Sequence, residues 1–375
     1  MYVHELENWT SFYWDNNRLS PILSSVRYLQ GRLLGRMEGF GFDFIESATL
    51  ESLILDVVDT SRIEGEFLNS ELVRSSIARK LGIENAEFVN IPRNIDGIVD
   101  VILDATQNFD LELTKDRLLG WHNSLFQSGF SGLQQIDVAK YRSGGMKVVS
   151  GNFGKEKIHF EAPSADRVPD EMNYFLDWLN NDTSTDLVLK SMIAHFWFVT
   201  IHPFDDGNGR IARAILDMVL AKSDHSKIRF YSLSNQIFKE HKRYNEIIEQ
   251  TQKGTQDITN YLEWFLKCFK RALLASEQNL EVILDKAHFW DEHKSKRINE
   301  RQRLVLNYLY DNYDKEVGFL RTSVYAKLTK CSTDTALRDL QDLVLKKMLV
   351  TEDTGKKTNY LIVSSKGLRI PKILS

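Results

Sequence analysis

Apolar residues recur at intervals of three and four over most of the chain, the spacing that places them on one face of an α-helix. Gly39 and Gly41 interrupt the first of these runs. Helices with this spacing are predicted over residues 19–34, 45–63, 95–105, 113–126, 170–179, 187–200 and 261–269. The pattern therefore predicts a mainly α-helical protein.

The period of the pattern changes between residues 140 and 163. Met146–Val149 and Lys157–Phe160 are short β-type runs, with a glycine-bearing turn at 150–154 between them. A hairpin of this kind leaves backbone groups unpaired at its edges, where another segment can pair with them. One β-hairpin is thus predicted within the helical chain.

The last quarter of the chain has a different order of elements. After a charged connecting helix, the pattern predicts three short helices and a two-stranded segment (303–310, 322–328, 332–347 and 349–362). That order resembles a winged helix. Charges on the expected recognition helix cancel, whereas DNA-reading helices present mainly basic residues. We therefore favour a protein-contact or positioning module, and leave nucleic acid open as the less favoured partner.

Composition places few limits on function. The 375 residues carry a formal net charge of −4, which neither indicates nor excludes nucleic acid. Cys268 and Cys331 lie far apart in sequence, give no metal-ligand pattern and are typical of a reducing compartment. No apolar stretch approaches the ~18 residues needed to span a bilayer. We expect a cytoplasmic protein without a membrane segment.

The strongest chemical signal is the stretch from His202 to Arg213, with the sequence HPFDDGNGRIAR. Pro203 disfavours helical geometry at the preceding residue, so the helix before it should end at His202. The imidazole then lies on a loop and titrates near neutral pH, as a general base should. Asp206 supplies the hard carboxylate oxygen that Mg²⁺ prefers. This half of the stretch predicts a base beside a metal ligand.

The other half is suited to an anion. Gly207-Asn208-Gly209 permits left-handed backbone conformations that point N–H groups into one concavity. The same residues open a helix, whose N-terminal dipole favours negative charge. Arg210 and Arg213 are three residues apart and can grip phosphate oxygens from one helical face. A polar loop before a capped helix would not bring all these features together, and we predict a nucleoside triphosphate site.

These residues match the signature of the Fic family, His-Pro-Phe-x-Asp-Gly-Asn-Gly-Arg-x-x-Arg, at every defined position. The resemblance covers roughly residues 110–275 and is to bacterial protein adenylyltransferases of that family. It implies transfer of AMP from ATP to a Ser, Thr or Tyr hydroxyl of a protein, with His202 as the base and Asp206 as the Mg²⁺ ligand. The residues that it implies for ATP binding are Phe204, Gly207, Asn208, Gly209, Arg210, Arg213 and Tyr244. Phe204 would also pack inward to fix the loop, and Tyr244 is equally consistent with a plain core position.

A shorter motif, Thr60-Ser61-Arg62-Ile63-Glu64-Gly65, ends the second predicted helix. Thr60 and Glu64 share a helical face, and Gly65 is a natural helix stop. Alone, the segment is an ordinary polar helix end. Beside a Fic motif it resembles the inhibitory motif of the family, which implies that Glu64 pairs with Arg213 and withdraws it from the γ-phosphate.

The predicted hairpin resembles the flap that lies over the active site of Fic proteins. The resemblance implies that a target segment docks on it by strand addition. The residues expected to take part are Val148, Val149, Ile158 and Phe160. The target is a protein, which can be the chain itself, and a homodimer is left open. Of three histidines outside the signature, His122 and His195 are predicted to have structural roles, and His159 is not expected to be catalytic.

The predicted organisation has four segments. Residues 1–105 form an N-terminal helical domain that includes the inhibitory helix, 106–275 the Fic core with its hairpin flap, 276–297 a linker helix and 298–375 the winged helix.

Two other functions remain open from the sequence. A hydrolase that removes AMP would use the same site, with Glu64 orienting a water molecule. A winged-helix transcription regulator that senses a nucleotide is the second, and the neutral recognition helix argues against it. Other Fic-like proteins transfer UMP, phosphocholine or phosphate, and the intact signature favours AMP.

Overall fold

The structure is a computed structural model that describes residues 1–39, 42–83, 90–151, 157–311, 320–354 and 357–363. Within these ranges the chain is mainly helical, as predicted. The helices are α1 (Asn16–Glu38), α2 (Phe42–Ile63), α3 (Ser70–Leu81), α4 (Arg93–Gln107), α5 (Lys115–Leu125), α6 (Val168–Asn181), α7 (Leu187–Ile201), α8 (Asn208–Asp224), α9 (Leu233–Lys239), α10 (His241–Gln252), α11 (Thr259–Glu292), α12 (Glu300–Asp311), α13 (Thr322–Thr329) and α14 (Thr333–Leu345). The strands are β1 (Phe130–Ser131), β2 (Gln134–Gln135), β3 (Lys147–Ser150), β4 (Lys157–Glu161), β5 (Leu349–Thr354) and β6 (Lys357–Ile362), paired as three antiparallel hairpins.

Helices α7 and α8 form the centre of the first compact unit, Met1–Leu274. Nearly every residue of α7 is buried, which explains why it is apolar on all sides rather than along one stripe. Asp186 caps its N-terminus by accepting the backbone N–H groups of Val188 and Leu189. The helix ends at Ile201, and His202 follows in the left-handed conformation, in agreement with the break predicted from Pro203. The core thus delivers His202 at the end of a rigid helix.

Helix α2 is held against this centre by a buried polar cluster. The Arg229 guanidinium donates to Asp217 Oδ1 at 2.8 Å and lies 4.0 Å from Asp56 Oδ2. Asp56 belongs to α2 and also accepts from the Ser232 hydroxyl. Burial, reinforced by the nearby Asp217 carboxylate, raises the pKa of Asp56 well above its usual value. The cluster fixes the position of α2 and therefore of the Thr60–Gly65 segment at its end.

Aromatic residues of the N-terminus join the same core. Trp9 and Phe12 pack edge-on against Trp197 of α7, and Phe12 also contacts Phe196. The Trp9 indole N–H donates to the Glu171 carboxylate of α6. The N-terminal segment is therefore part of the first unit.

The hairpin β3–β4 has a register irregularity between Val148 and Val149. Part of the turn predicted at 150–154 lies outside the described residues. The second unit, Ala275–Ser375, contains α12 to α14 and the β5–β6 pair, in the order that the sequence predicts. Leu320 pairs with Tyr360 of β6, and both lie in a core with Tyr325, Leu340 and Met348. Residues 355 and 356 of the predicted turn lie outside the described ranges, and the winged-helix assignment stays a prediction. Over the described part of the chain, no helix is both long and apolar enough to cross a membrane.

Candidate active site

His202 is positioned by backbone contacts on both sides. Its φ is 53°, and its N–H still donates to the Phe198 carbonyl at 3.0 Å. The ring Nδ1 lies 3.2 Å from the Val199 carbonyl, which can only accept, so Nδ1 carries the proton and Nε2 carries the lone pair. Burial lowers the pKa of His202 from its usual value. A neutral imidazole with an available Nε2 lone pair is the form that a general base requires.

Arg142 holds the loop that follows His202. Its Nε donates to the His202 carbonyl at 2.7 Å, and its backbone N–H donates to the Pro203 carbonyl at 2.9 Å. The same guanidinium reaches the Pro163 carbonyl at 2.6 Å, just beyond the hairpin. Arg142 thereby joins the histidine loop to both ends of the hairpin segment. No sequence pattern indicated this residue, because an isolated arginine before Ser-Gly-Gly is typical of a surface loop.

Phe204 packs inward, as the resemblance implies. It is fully buried, and its ring stacks on His122 with a centroid distance of 4.1 Å. Asn208 bridges the loop: its Oδ1 accepts from the Phe204 N–H at 3.0 Å and its Nδ2 donates to the Phe204 carbonyl at 2.8 Å. The Asn208 side chain thus closes the loop by hydrogen bonds to both backbone groups of Phe204.

His122 supports the same loop from α5. Its Nδ1 accepts from the Ala139 N–H at 3.1 Å and its Nε2 donates to the Asp206 carbonyl at 3.2 Å. Burial lowers the pKa of His122 to about 4, so the ring is neutral and can both donate and accept. This matches the structural role predicted for His122.

Asp206 presents a half-exposed carboxylate at the front of the site. Oδ1 accepts from the Gly207 N–H at 2.6 Å, and Oδ2 accepts from the Ser131 hydroxyl on β1. Within the described ranges, no three acidic, His or Cys side chains gather as a protein-only metal site would require. A single carboxylate fits Mg²⁺ at a nucleotide site, since that ion usually takes one or two carboxylates together with water and substrate phosphates. Ser131 had no sequence signal, and it orients the carboxylate that the sequence did predict.

Two glycines shape the N-terminus of α8. Gly207 has φ +80°, and a Cβ there would lie 2.7 Å from the Phe126 ring. A Cβ on Gly209 would lie 2.1 Å from Glu64 Oε1 and 3.2 Å from the Arg213 guanidinium. A side chain at 209 would therefore have to displace the Glu64 carboxylate. The Glu64 carboxylate thus lies beside the helix N-terminus at which the sequence predicts an anion.

The Glu64 carboxylate pairs with Arg213 at 2.7 Å. Arg213 is fully buried, and it also donates through Nε to the Thr60 hydroxyl at 2.7 Å and through Nη2 to the Thr60 carbonyl at 2.9 Å. Gly65 follows with φ +82° and ends the helix. Arg213 thus contacts both Thr60 and Glu64, although 149 residues separate it from Glu64.

Arg210 has a different environment from Arg213, despite their spacing of three. It lies at the edge of the site, with its guanidinium 5.0 Å from the centroid of the Phe126 ring. Its Nη1 donates to Glu66 Oε2 at 3.0 Å, and its Nη2 lies 3.8 Å from Asp206 Oδ2. The sequence did not indicate Glu66. Each arginine is therefore engaged by a separate carboxylate from the end of α2.

Tyr244 is buried beside Arg213. Its hydroxyl lies 2.8 Å from His195 Nε2 and 3.5 Å from Arg213 Nη1, and burial raises its pKa. His195 contacts Tyr261 through Nδ1 at 2.9 Å, and burial lowers the pKa of His195 to about 3. His195 is a hydrogen-bonded core residue, as predicted. Tyr244 is therefore a core residue, which is one of the two roles predicted for it, and it contacts Arg213.

The four residues predicted to dock a target on the hairpin differ in their exposure to solvent. Val148, Val149 and Ile158 are 38%, 49% and 45% exposed, whereas Phe160 is 1% exposed. Phe160 packs edge-on against Tyr2 and His4, so its inclusion among docking residues is corrected: it anchors the hairpin to the N-terminal segment. Ile158 and Phe160 are two residues apart on β4, so strand alternation does not separate them, and it is the contact with the N-terminal segment that buries Phe160.

His159 ties the hairpin to α10. Its Nδ1 lies 2.7 Å from Glu249 Oε2, and its Nε2 lies 2.6 Å from the Ser150 hydroxyl. His159 therefore has a structural contact and lies outside the His202 loop.

Comparison with known proteins gives two family matches. Residues 112–220 match the Fic/DOC family, and residues 2–83 match a family described as a domain of unknown function, DUF4172. A probable protein adenylyltransferase from Aquifex aeolicus is 30% identical over 144 residues, which cover 38% of this chain and 38% of that protein. A protein adenylyltransferase Fic from Nematostella vectensis is 20% identical over 237 residues, which cover 61% of this chain and 50% of that protein. The chain thus spans half or less of the length of these two relatives.

Two solved structures share the fold. A Fic family protein from Desulfovibrio desulfuricans superposes with a TM-score of 0.56 and 21% identity, covering 95% of this chain and 99% of that one. A Fic domain-containing signaling protein from Bacteroides thetaiotaomicron superposes with a TM-score of 0.50 and 17% identity, covering 67% of this chain and 95% of that one. The shared architecture is a helical core with a hairpin flap, and residues 112–220 of this chain match the Fic/DOC family.

Proposed function

We propose that this chain is a protein adenylyltransferase, which transfers AMP from ATP to a Ser, Thr or Tyr hydroxyl of a protein. The observation that carries the proposal is the loop from His202 to Gly209, in which a neutral imidazole, a half-exposed carboxylate and a helix N-terminus follow one another. Relatives that match part of the chain are named protein adenylyltransferases, which supports the same reaction.

The reaction assigns one task to each group. His202 Nε2 accepts the proton of the target hydroxyl as its oxygen attacks the α-phosphorus of ATP. The new O–P bond forms as the bond from the α-phosphorus to the bridging oxygen breaks, and pyrophosphate leaves. Asp206 would hold Mg²⁺, which when bound neutralises charge on the leaving phosphates. Arg210, Arg213 and the backbone of Gly207 to Gly209 would hold phosphate oxygens, so that catalysis is mainly positioning and electrostatics.

We propose that the chain is autoinhibited by Glu64. A γ-phosphate and the Glu64 carboxylate carry the same charge and would compete for Arg213 and for the N-terminus of α8. The 2.7 Å pair and the close approach to Gly209 support this competition.

The division at residues 105, 275 and 297, the winged helix as a protein-contact module, and a cytoplasmic location belong to the same proposal. A homodimer and self-modification are compatible with it.

ATP labelled at either the α- or the γ-phosphate tests the reaction directly. Incubation with Mg²⁺ and a mixture of candidate proteins is expected to leave the α-label on protein and the γ-label in pyrophosphate. Protein-bound γ-label would instead indicate phosphate transfer. UTP in place of ATP serves as the control for nucleotide preference.

A proline substitution tests docking on the flap. Val149→Pro removes a backbone donor on an exposed strand, so we expect modification of a separate protein target to be largely lost while ATP binding is retained. Val149→Ala keeps the N–H and should retain most of the activity, which separates backbone pairing from side-chain contact. Unchanged modification by Val149→Pro would contradict the docking role. Calorimetric titration with ATP monitors the nucleotide site in all three proteins.

A further inference from the structure

A second carboxylate–arginine pair lies beside the Glu64–Arg213 pair. Glu66 Oε2 accepts from Arg210 Nη1 at 3.0 Å, and Glu66 Oε1 accepts from the Asn94 side chain at 2.9 Å. The Arg210 side chain is only 10% exposed, and it lies over the Phe126 ring. Both oxygens of Glu66 are therefore used, and the contact has a fixed geometry rather than that of a loose surface pair.

The turn after α2 explains how two nearby carboxylates reach two different arginines. The N–H groups of Glu64 and Glu66 both donate to the Ser61 carbonyl, at 3.1 and 3.0 Å. Gly65, with φ +82°, stands between them and reverses the chain. Glu64 is thereby directed to buried Arg213, and Glu66 to Arg210 at the edge of the site.

We propose that Glu66 is a second inhibitory carboxylate, which competes with a nucleotide phosphate for Arg210. The inference rests on the proposed function, because it assumes that Arg210 binds ATP. Arg210 Nη2 lies 3.8 Å from Asp206 Oδ2, the carboxylate assigned to the metal, so a phosphate bound near Asp206 would meet an arginine already held by Glu66. The two contacts differ in consequence: Glu64 blocks the helix N-terminus, whereas Glu66 withholds a cation from the opening of the site.

Removal of Glu64 alone therefore leaves the inhibitory contact between Glu66 and Arg210 in place. With Glu64→Gly, Arg213 is released, but Glu66 and Asn94 still hold Arg210. Full nucleotide affinity requires both carboxylates to move away, and one displacement of the turn at Gly65 would achieve this.

Glu66→Gln tests the proposal, because it keeps the shape of the side chain and removes its charge. We expect ATP to bind about fivefold more tightly than to the wild-type protein by calorimetry, a factor typical of losing one competing ion pair. Asn94→Ala, which frees the other oxygen of Glu66, should shift the affinity in the same direction by a smaller factor. Glu51→Gln is the matched control, since Glu51 is a glutamate of α2 whose partner is Arg74, and its affinity should equal that of wild type.

The double variant Glu64→Gly/Glu66→Gln should bind ATP more tightly than either single variant. The inhibitory role of Glu66 would be overturned if Glu66→Gln left ATP affinity unchanged, both in the wild-type protein and in Glu64→Gly. The proposed function would still stand after that result if transfer with α-labelled ATP rises in Glu64→Gly. Failure of ATP to bind any of the variants would overturn both proposals.

Discussion

His202→Ala is expected to lower the rate of AMP transfer by about 10²- to 10⁴-fold, the range that general-base assistance usually supplies. ATP affinity should remain near the wild-type value, because His202 is assigned to the hydroxyl rather than to the phosphates. The contacts that hold the loop survive the change: the Phe198 carbonyl accepts from the backbone of residue 202, and Arg142 donates to its carbonyl. Single-turnover rates with α-labelled ATP measure the loss.

In His202→Ala, the effect of backbone strain at residue 202 must be separated from the effect of losing the base. Residue 202 has φ 53°, a conformation that costs alanine about 1–2 kcal/mol. His202→Asn removes the base with less strain, since asparagine tolerates this conformation well. His225→Ala supplies the matched control: His225 also follows a helix with φ 50°, at the other end of α8 from the site. Transfer near the wild-type rate by folded His202→Asn would remove His202 from its role.

Local patterns in the sequence predicted the elements of the site well. Pro203 fixed the end of α7, and the glycines fixed the start of α8, because both effects act on neighbouring backbone. The apolar period located the helices, although α2 begins at Phe42 rather than at residue 45. Short-range physics was sufficient for these features.

Residues that act across long sequence distances were not predictable in this way. Arg142, Ser131 and Glu66 contact the motif residues His202, Asp206 and Arg210, which are 60, 75 and 144 positions away. Only the folded chain brings them together, and none has a distinctive local pattern. The burial of Phe160 was missed for a related reason, since its partners Tyr2 and His4 come from the other end of the unit.

The last feature of the site with a large expected effect is Glu64. Its carboxylate lies beside Gly209 at the N-terminus of α8, where the proposed function puts a phosphate. It also pairs with Arg213, whose guanidinium donates to Thr60 and Tyr244 as well. ATP that binds while Glu64 is in place must accept a displaced γ-phosphate, and a misplacement of about 1 Å at the reacting atoms can cost ~10²-fold in rate.

Glu64→Gly is therefore expected to raise the rate of transfer, self-modification included, by about 10²-fold. The change leaves buried Arg213 with one partner fewer, so we expect a stability loss of about 1–2 kcal/mol, which ATP should restore more effectively than in wild type. Thermal unfolding with and without ATP measures that restoration, and incorporation of α-label measures the rate.

Arg213→Ala tests whether Glu64→Gly acts by releasing Arg213 or by a general loosening of α2. It removes the same ion pair from the other side, but it also removes the proposed phosphate ligand, so no gain in transfer is expected. In Glu64→Gly/Arg213→Ala the gain should be lost as well. A double variant as fast as Glu64→Gly would show that Glu64 acts by blocking space beside Gly209 rather than through Arg213.

Loss of an AMP-removing activity in Glu64→Gly, without any gain in transfer, would instead favour the hydrolase that uses the same site. A carboxylate at the N-terminus of α8 would then be needed to orient water.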